Sequence, residues 1–167
     1  GVKIYAYIGK NTFNGTYGIK HPDANAGGAA ELIPFHPGVH EYWDAFIRRI
    51  IELGCNGFVF EDPEAMHVPN QNAMCYQTFW EPWAETYGFK SVAETDQNKP
   101  PLGVHIEYYS WLFRVFDEMI GKHAQAGPDP EIYLISHILL SRMVSESKTR
   151  EERDKWFAYI DEKQGRK

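Results

Sequence analysis

The stretch "GCNGFVFEDPEAMHVPN", Gly54–Asn70, decides how this chain is read. Gly57-Phe58-Val59-Phe60 is a short apolar run that stops abruptly at Glu61-Asp62. Glu64 follows across Pro63, and His67 comes soon after. A brief apolar run punctuated by Gly on one side and Pro on the other reads as a buried strand. Carboxylates directly after such a strand stand where a parallel α/β sheet places its chemistry, at the carboxyl ends of the strands. The same two acids also fit a plainer role. Asp62-Pro63 can cap a turn, and Glu61 can pair with an arginine. Spacing alone leaves both readings open.

Working outward, Val39, Tyr42, Trp43, Phe46, Ile47, Ile50 and Ile51 fall on one face of a helix that ends at Gly54. Pro37 fits its first turn. Two further strands are expected, at Val2–Ile8 (VKIYAYI) and Glu131–Ser136 (EIYLIS). A helix is expected over about Ile106–Ala126, stopped by Gly127-Pro128, and another over about Arg150–Lys163. Thr149 and Glu152 form a capping box in front of the latter. A shorter helix over about Cys75–Tyr87 needs an irregularity at Pro82. The result is a βα alternation, an α/β fold with parallel strands. Nearly continuous apolar strands suggest a sheet covered on both faces. The helix-to-strand links are short, whereas the strand-to-helix links Gly9–His36 and Glu61–Met74 are long. Long loops after the strands are the ones that carry sites in α/β barrels.

Composition sets limits on function. The 167 residues make one domain, and 43% hydrophobic with 15% aromatic residues is enough for a core. A formal net charge of −6 without a Lys/Arg cluster gives no footprint for nucleic acid. No apolar run approaches the ~20 residues of a membrane span. We therefore expect a soluble chain, cytoplasmic or secreted after processing, with neither nucleic acid nor membrane as partner. Cys55 and Cys75 fall at opposite ends of the GFVF strand and read as free thiols. Tyr5 and Tyr7 alternate on the first strand and read as core packing, with Tyr7 close enough to the strand ends to reach a substrate. His137 ends the third strand, so it shares the site face. His67 could bind substrate or a metal, although a lone histidine has no ligand spacing. No metal or cofactor is expected.

Beyond these local signals, the segment "LIPFHPGVHEYWDAFIRRIIELGCNGFVFEDPEAMHVPNQNAMCYQTFWEPWAETYG", about Leu32–Gly88, resembles the middle of bacterial glycoside-hydrolase-like TIM barrels. Such chains carry a helix, then a glycine-led apolar strand ending in acidic residues with Pro-Glu. A cysteine-containing stretch and an "F…YG" helix follow, matched here by Cys75, Phe79 and Tyr87-Gly88. The resemblance implies a (β/α)8 barrel hydrolysing O-glycosidic bonds of a carbohydrate substrate. Carried over by position, Glu61 and Asp62 would be the catalytic pair; from their own places near the strand ends, Tyr7, Glu64, His67 and His137 are the candidates for binding substrate. Strand alternation sends Glu61 to the face opposite Phe60, which favours Glu61 as proton donor and leaves Asp62 to orient substrate or to turn the chain. A full barrel takes about 250 residues. The chain is accordingly expected to be a partial barrel of about three βα units, a segment of a longer chain or one completed by self-association or by another chain. Two other readings stand beside this one: a non-catalytic carbohydrate-binding or assembly module, and a metal-dependent barrel hydrolase or isomerase using Glu61, Asp62, His67 and His137.

Overall fold

The computed structural model describes residues 2–9, 16–24, 32–34, 36–61, 102–124 and 130–165. Among these residues three strands form one parallel sheet: β1 (Tyr5–Ile8), β2 (Gly57–Glu61) and β3 (Glu131–Ile135), in the order β1-β2-β3. Five α-helices accompany them: α1 (Tyr17–Lys20), α2 (Pro37–Glu52), α3 (Leu102–His123), α4 (His137–Glu146) and α5 (Arg150–Gln164). The chain is thus of the α/β class, with adjacent parallel strands in sequence order as the βα alternation requires. The expected Cys75–Tyr87 helix lies outside the described residues.

Local chemistry explains most boundaries. α2 opens with Pro37 in its first turn and His36 as N-cap, the imidazole Nδ1 accepting from the Gly38 N–H at 3.1 Å. It stops at Gly54, whose φ of 81° is a left-handed conformation that glycine adopts without strain. The Thr149–Glu152 capping box is present in full at the start of α5. α3 starts four residues earlier than the apolar stripe suggests, at Leu102 rather than Ile106.

Strand alternation divides the sheet into two unlike faces. Ala6, Ile8, Phe58, Phe60, Ile132 and Leu134 belong to the main hydrophobic cluster with Val39, Trp43 and Ile47 of α2 and Leu112, Phe116 and Ile120 of α3. At its centre the Phe60 ring stacks on Phe116 at 4.3 Å, and Phe116 meets Trp43 at 5.4 Å. A smaller cluster joins Leu102, Ile106 and Tyr109 of α3 to Leu139 and Met143 of α4. The other face carries Lys3, Tyr5, Tyr7, Glu61, Glu131, Tyr133 and Ile135.

That second face corrects the expectation of a sheet covered on both sides. Tyr7 is 57% and Tyr133 50% exposed. Neither Tyr5 nor Tyr7 packs in the helix-covered core, because both stand on the alternate positions to Ala6 and Ile8. The alternation of Tyr5 and Tyr7 with Ala6 and Ile8 is the sequence signal of this half-buried arrangement. His137 is likewise reassigned. It does not end β3 but begins α4, with Ser136 as N-cap accepting from the Leu139 N–H at 2.9 Å. The apolar run HILL had hidden that helix behind the preceding strand.

Candidate functional site at the carboxyl ends of the strands

Three of the sequence-nominated residues meet at one end of the open face. Glu61 closes β2, Tyr7 comes from the end of β1, and His137 opens α4 directly after β3. Tyr7 lies in register with Val59, which shares Glu61's side of the strand. From there the Tyr7 hydroxyl donates a hydrogen bond to Glu61 Oε2. His137 Nδ1 stands 3.8 Å from Glu61 Oε1, an ion pair when the imidazole is protonated. The two carboxylate oxygens are therefore addressed separately, one by a phenol and one by an imidazole. Glu61 is one-third exposed at its side chain, so the group remains open to solute.

Gly9 lies beside this group. A Cβ built on it would meet the Tyr7 ring at 3.5 Å and Glu61 Oε2 at 3.6 Å. The backbone after β1 thus passes close to the carboxylate. Asp62, Glu64 and His67 lie outside the described residues, so the structure does not relate them to Glu61.

A second polar group occupies the amino ends of the same strands, and the sequence reading missed it. The Glu131 carboxylate accepts from Lys3 Nζ, from the Tyr5 hydroxyl and, at 3.0 Å, from the Tyr133 hydroxyl. The hydrogen bond from Lys3, then those from Tyr5 and Tyr133, bring its pKa down to about 2. Lys3 and Tyr5 are correspondingly raised, each first through its hydrogen bond to Glu131. Tyr5, Gly57 and Glu131 are register partners across all three strands. A side chain on Gly57 would meet the Glu131 carbonyl oxygen at 2.4 Å and the Tyr5 ring at 2.8 Å. Glycine is what lets β1 and β3 join across β2. The shared parity of Lys3-Tyr5 and Glu131-Tyr133 was the available signal.

No helix among the described residues is long and apolar enough to cross a membrane. No group of three or more His, Cys, Asp or Glu side chains among them is arranged to hold a metal ion. Cys55 is a free thiol, half-buried before β2. No family model matches the chain, and no curated protein or solved structure matches it either.

The Tyr7–Glu61–His137 group can perform proton transfer or charge stabilisation. A carboxylate held by a phenol on one oxygen has a fixed orientation and presents its other oxygen to a bound molecule. An imidazole nearby can donate, accept or bind. The Glu131 carboxylate already accepts from three donors of the sheet itself, Lys3, Tyr5 and Tyr133, and so ties β1 to β3.

Proposed function

We propose that this chain acts on carbohydrate, hydrolysing an O-glycosidic bond with Glu61 as the reacting carboxylate and Tyr7 and His137 beside it. The framework would be part of a (β/α)8 barrel, with further strands supplied by more chain or by another copy. The observation that carries the reading is the position of Glu61. It ends the central strand of the described parallel sheet, on the face away from α2 and α3, with one oxygen anchored by Tyr7 and the other toward His137. In a barrel this face is the interior and this end is the mouth, where catalytic groups gather. Glycosidases work with a pair of carboxyl groups flanking the bond. Asp62 is the second acid that the sequence offers.

The test is turnover of a panel of aryl glycosides by the complete protein. Glu61→Gln should lower turnover by at least ~10²-fold if this carboxyl transfers the proton. Tyr7→Phe should cost about tenfold through loss of the charge-assisted hydrogen bond. A Glu61→Gln protein that folds normally and keeps full activity on a glycoside would remove the assignment.

A second reading is favoured by the exposed tyrosine rings. Tyr7 and Tyr133 present flat apolar surface on the same open face, and aromatic rings are suitable platforms for sugars. A non-catalytic sugar-binding face would show saturable binding by calorimetry with no turnover, and that binding would be lost in Tyr133→Ala while surviving Glu61→Gln.

A further inference from the structure

Far from Glu61 in sequence, α4 and α5 meet around an open cavity of about 540 Å³, lined by Glu146, Lys148, Glu152, Lys155, Trp156 and Tyr159. That volume lies in the range of small-molecule sites. Trp156 and Tyr159 pack against the smaller hydrophobic cluster and meet edge to face, ring centroids 6.2 Å apart. They form the apolar wall.

The polar groups around this wall are not equivalent. Glu146 accepts from Arg142 Nε at 2.8 Å. Glu152 closes the capping box and accepts from the Lys148 and Thr149 backbone N–H groups at 2.6 and 3.3 Å. Lys155 pairs with Glu151 at 3.1 Å, and the Tyr159 hydroxyl donates to Glu107 at 2.6 Å. Both carboxylates of the cavity thus have donors, Arg142 for Glu146 and backbone N–H groups for Glu152. Neither the Lys148 ammonium nor the Trp156 indole N–H has a hydrogen-bond or ion-pair partner among the described residues. Among the described residues the cavity also presents one cation, one neutral donor and two rings, Tyr159 having Lys163 Nζ over its ring at 5.1 Å from the centroid.

We propose that this cavity binds a small ring-bearing carboxylate, its ring against Trp156 and Tyr159 and its acid group paired with Lys148. A neutral ring would use only the wall. A cationic one would meet the Lys148 and Lys155 ammonium groups, and Glu146 is already paired with Arg142. The same chemistry is presented by a uronic acid and by an aromatic acid, and the site is independent of the reading given to Glu61.

The experiment follows the Trp156 indole N–H resonance of the full 167-residue chain, identified by its loss in Trp156→Phe, during titration with glucuronate, benzoate and methyl glucoside. Glucuronate or benzoate should shift this resonance saturably at millimolar concentration, and Lys148→Gln should weaken that binding by about tenfold. Lys148 is exposed and uses only its backbone in the capping of α5, so the variant keeps the fold, as circular dichroism will show. A response to glucuronate alone identifies a uronate site, and a response to benzoate alone an aromatic-acid site; both support the proposal. Equal binding of methyl glucoside, indifference to Lys148→Gln, or no shift with either acid would overturn it. Activity of Glu61→Gln does not enter this measurement, so the two proposals fail separately.

Discussion

At the scale of single residues, burial and hydrogen bonding set the charge states. His105 of α3 sits partly buried with its Nδ1 3.2 Å from Arg142 Nη1 of α4. Burial first, then the Arg142 charge, lower its pKa from 6.5 to about 4, with Glu146 opposing. The folded chain therefore binds this proton less well than the unfolded chain does. Between those two values the unfolded state takes up more protons, and stability falls as pH drops from about 6.5 toward 4. A shift of this size corresponds to about 3 kcal/mol. Urea midpoints measured from pH 7 to pH 4 should show the decline. His105→Gln, which keeps an acceptor for Arg142 but cannot protonate, should flatten it. An unchanged slope in that variant would show that other groups govern the acid limb. The Glu131 group acts in a lower window, because its folded pKa is near 2; its contribution is lost only as pH falls below the ordinary glutamate range.

At the scale of elements, the crossing of the sheet at Gly57 is the tightest feature. Tyr5 and Glu131 come together over the middle strand only because Gly57 leaves the space between them empty. Gly57→Ala places a methyl group against a backbone oxygen, which cannot rotate away as a side-chain end would. The expected cost is ~1–3 kcal/mol, the usual penalty for overpacking, read as a lower denaturation midpoint. A neutral or stabilising Gly57→Ala would mean that the strands shift apart more easily than their pairing suggests. The helices, in contrast, are specified locally. α5 has a complete capping box and a left-handed Gly165 at its end, and α4 has Ser136. Each cap satisfies an N–H or carbonyl group that the helix cannot pair internally.

At the scale of the molecule, one face of the sheet is committed and the other is not. Phe58 and Phe60 are fully buried under α2 and α3, while the opposite face exposes tyrosines and Ile135. α4 adds Leu140 and Val144, 43% and 61% exposed and one turn apart on the same side of the helix. Apolar surface of this kind beside the bordering strand β3 invites association. If the barrel reading holds, the 167-residue chain alone should scatter light as a species larger than its 19.3 kDa, in a concentration-dependent manner. Replacing Leu140 and Val144 by Gln should reduce that tendency without unfolding the chain. A cooperatively folding monomer at all concentrations would count heavily against a partial barrel.

The sequence by itself determined the three strands, most helix ends and the position of Glu61. Gly54, Pro37 and the Thr149–Glu152 pair mark helix ends through backbone geometry and capping, which act over a few residues. The apolar run into Glu61 placed a carboxylate at a strand's carboxyl end, and alternation sent it away from Phe60. Tertiary structure alone decided what those faces meet. Tyr7 was legible as a strand residue, but its bond to Glu61 depends on the register of two strands some fifty residues apart. The joining of Lys3, Tyr5 and Tyr133 around Glu131 depends on all three strands and on the space left at Gly57. The start of α4 at His137 was hidden because HILL suits strand and helix equally, and Ser136 became a cap only once β3 had ended beside β2. Local periodicity fixes the direction of a side chain. Whether that direction leads to a core, a partner group or open solvent is a property of the packed chain.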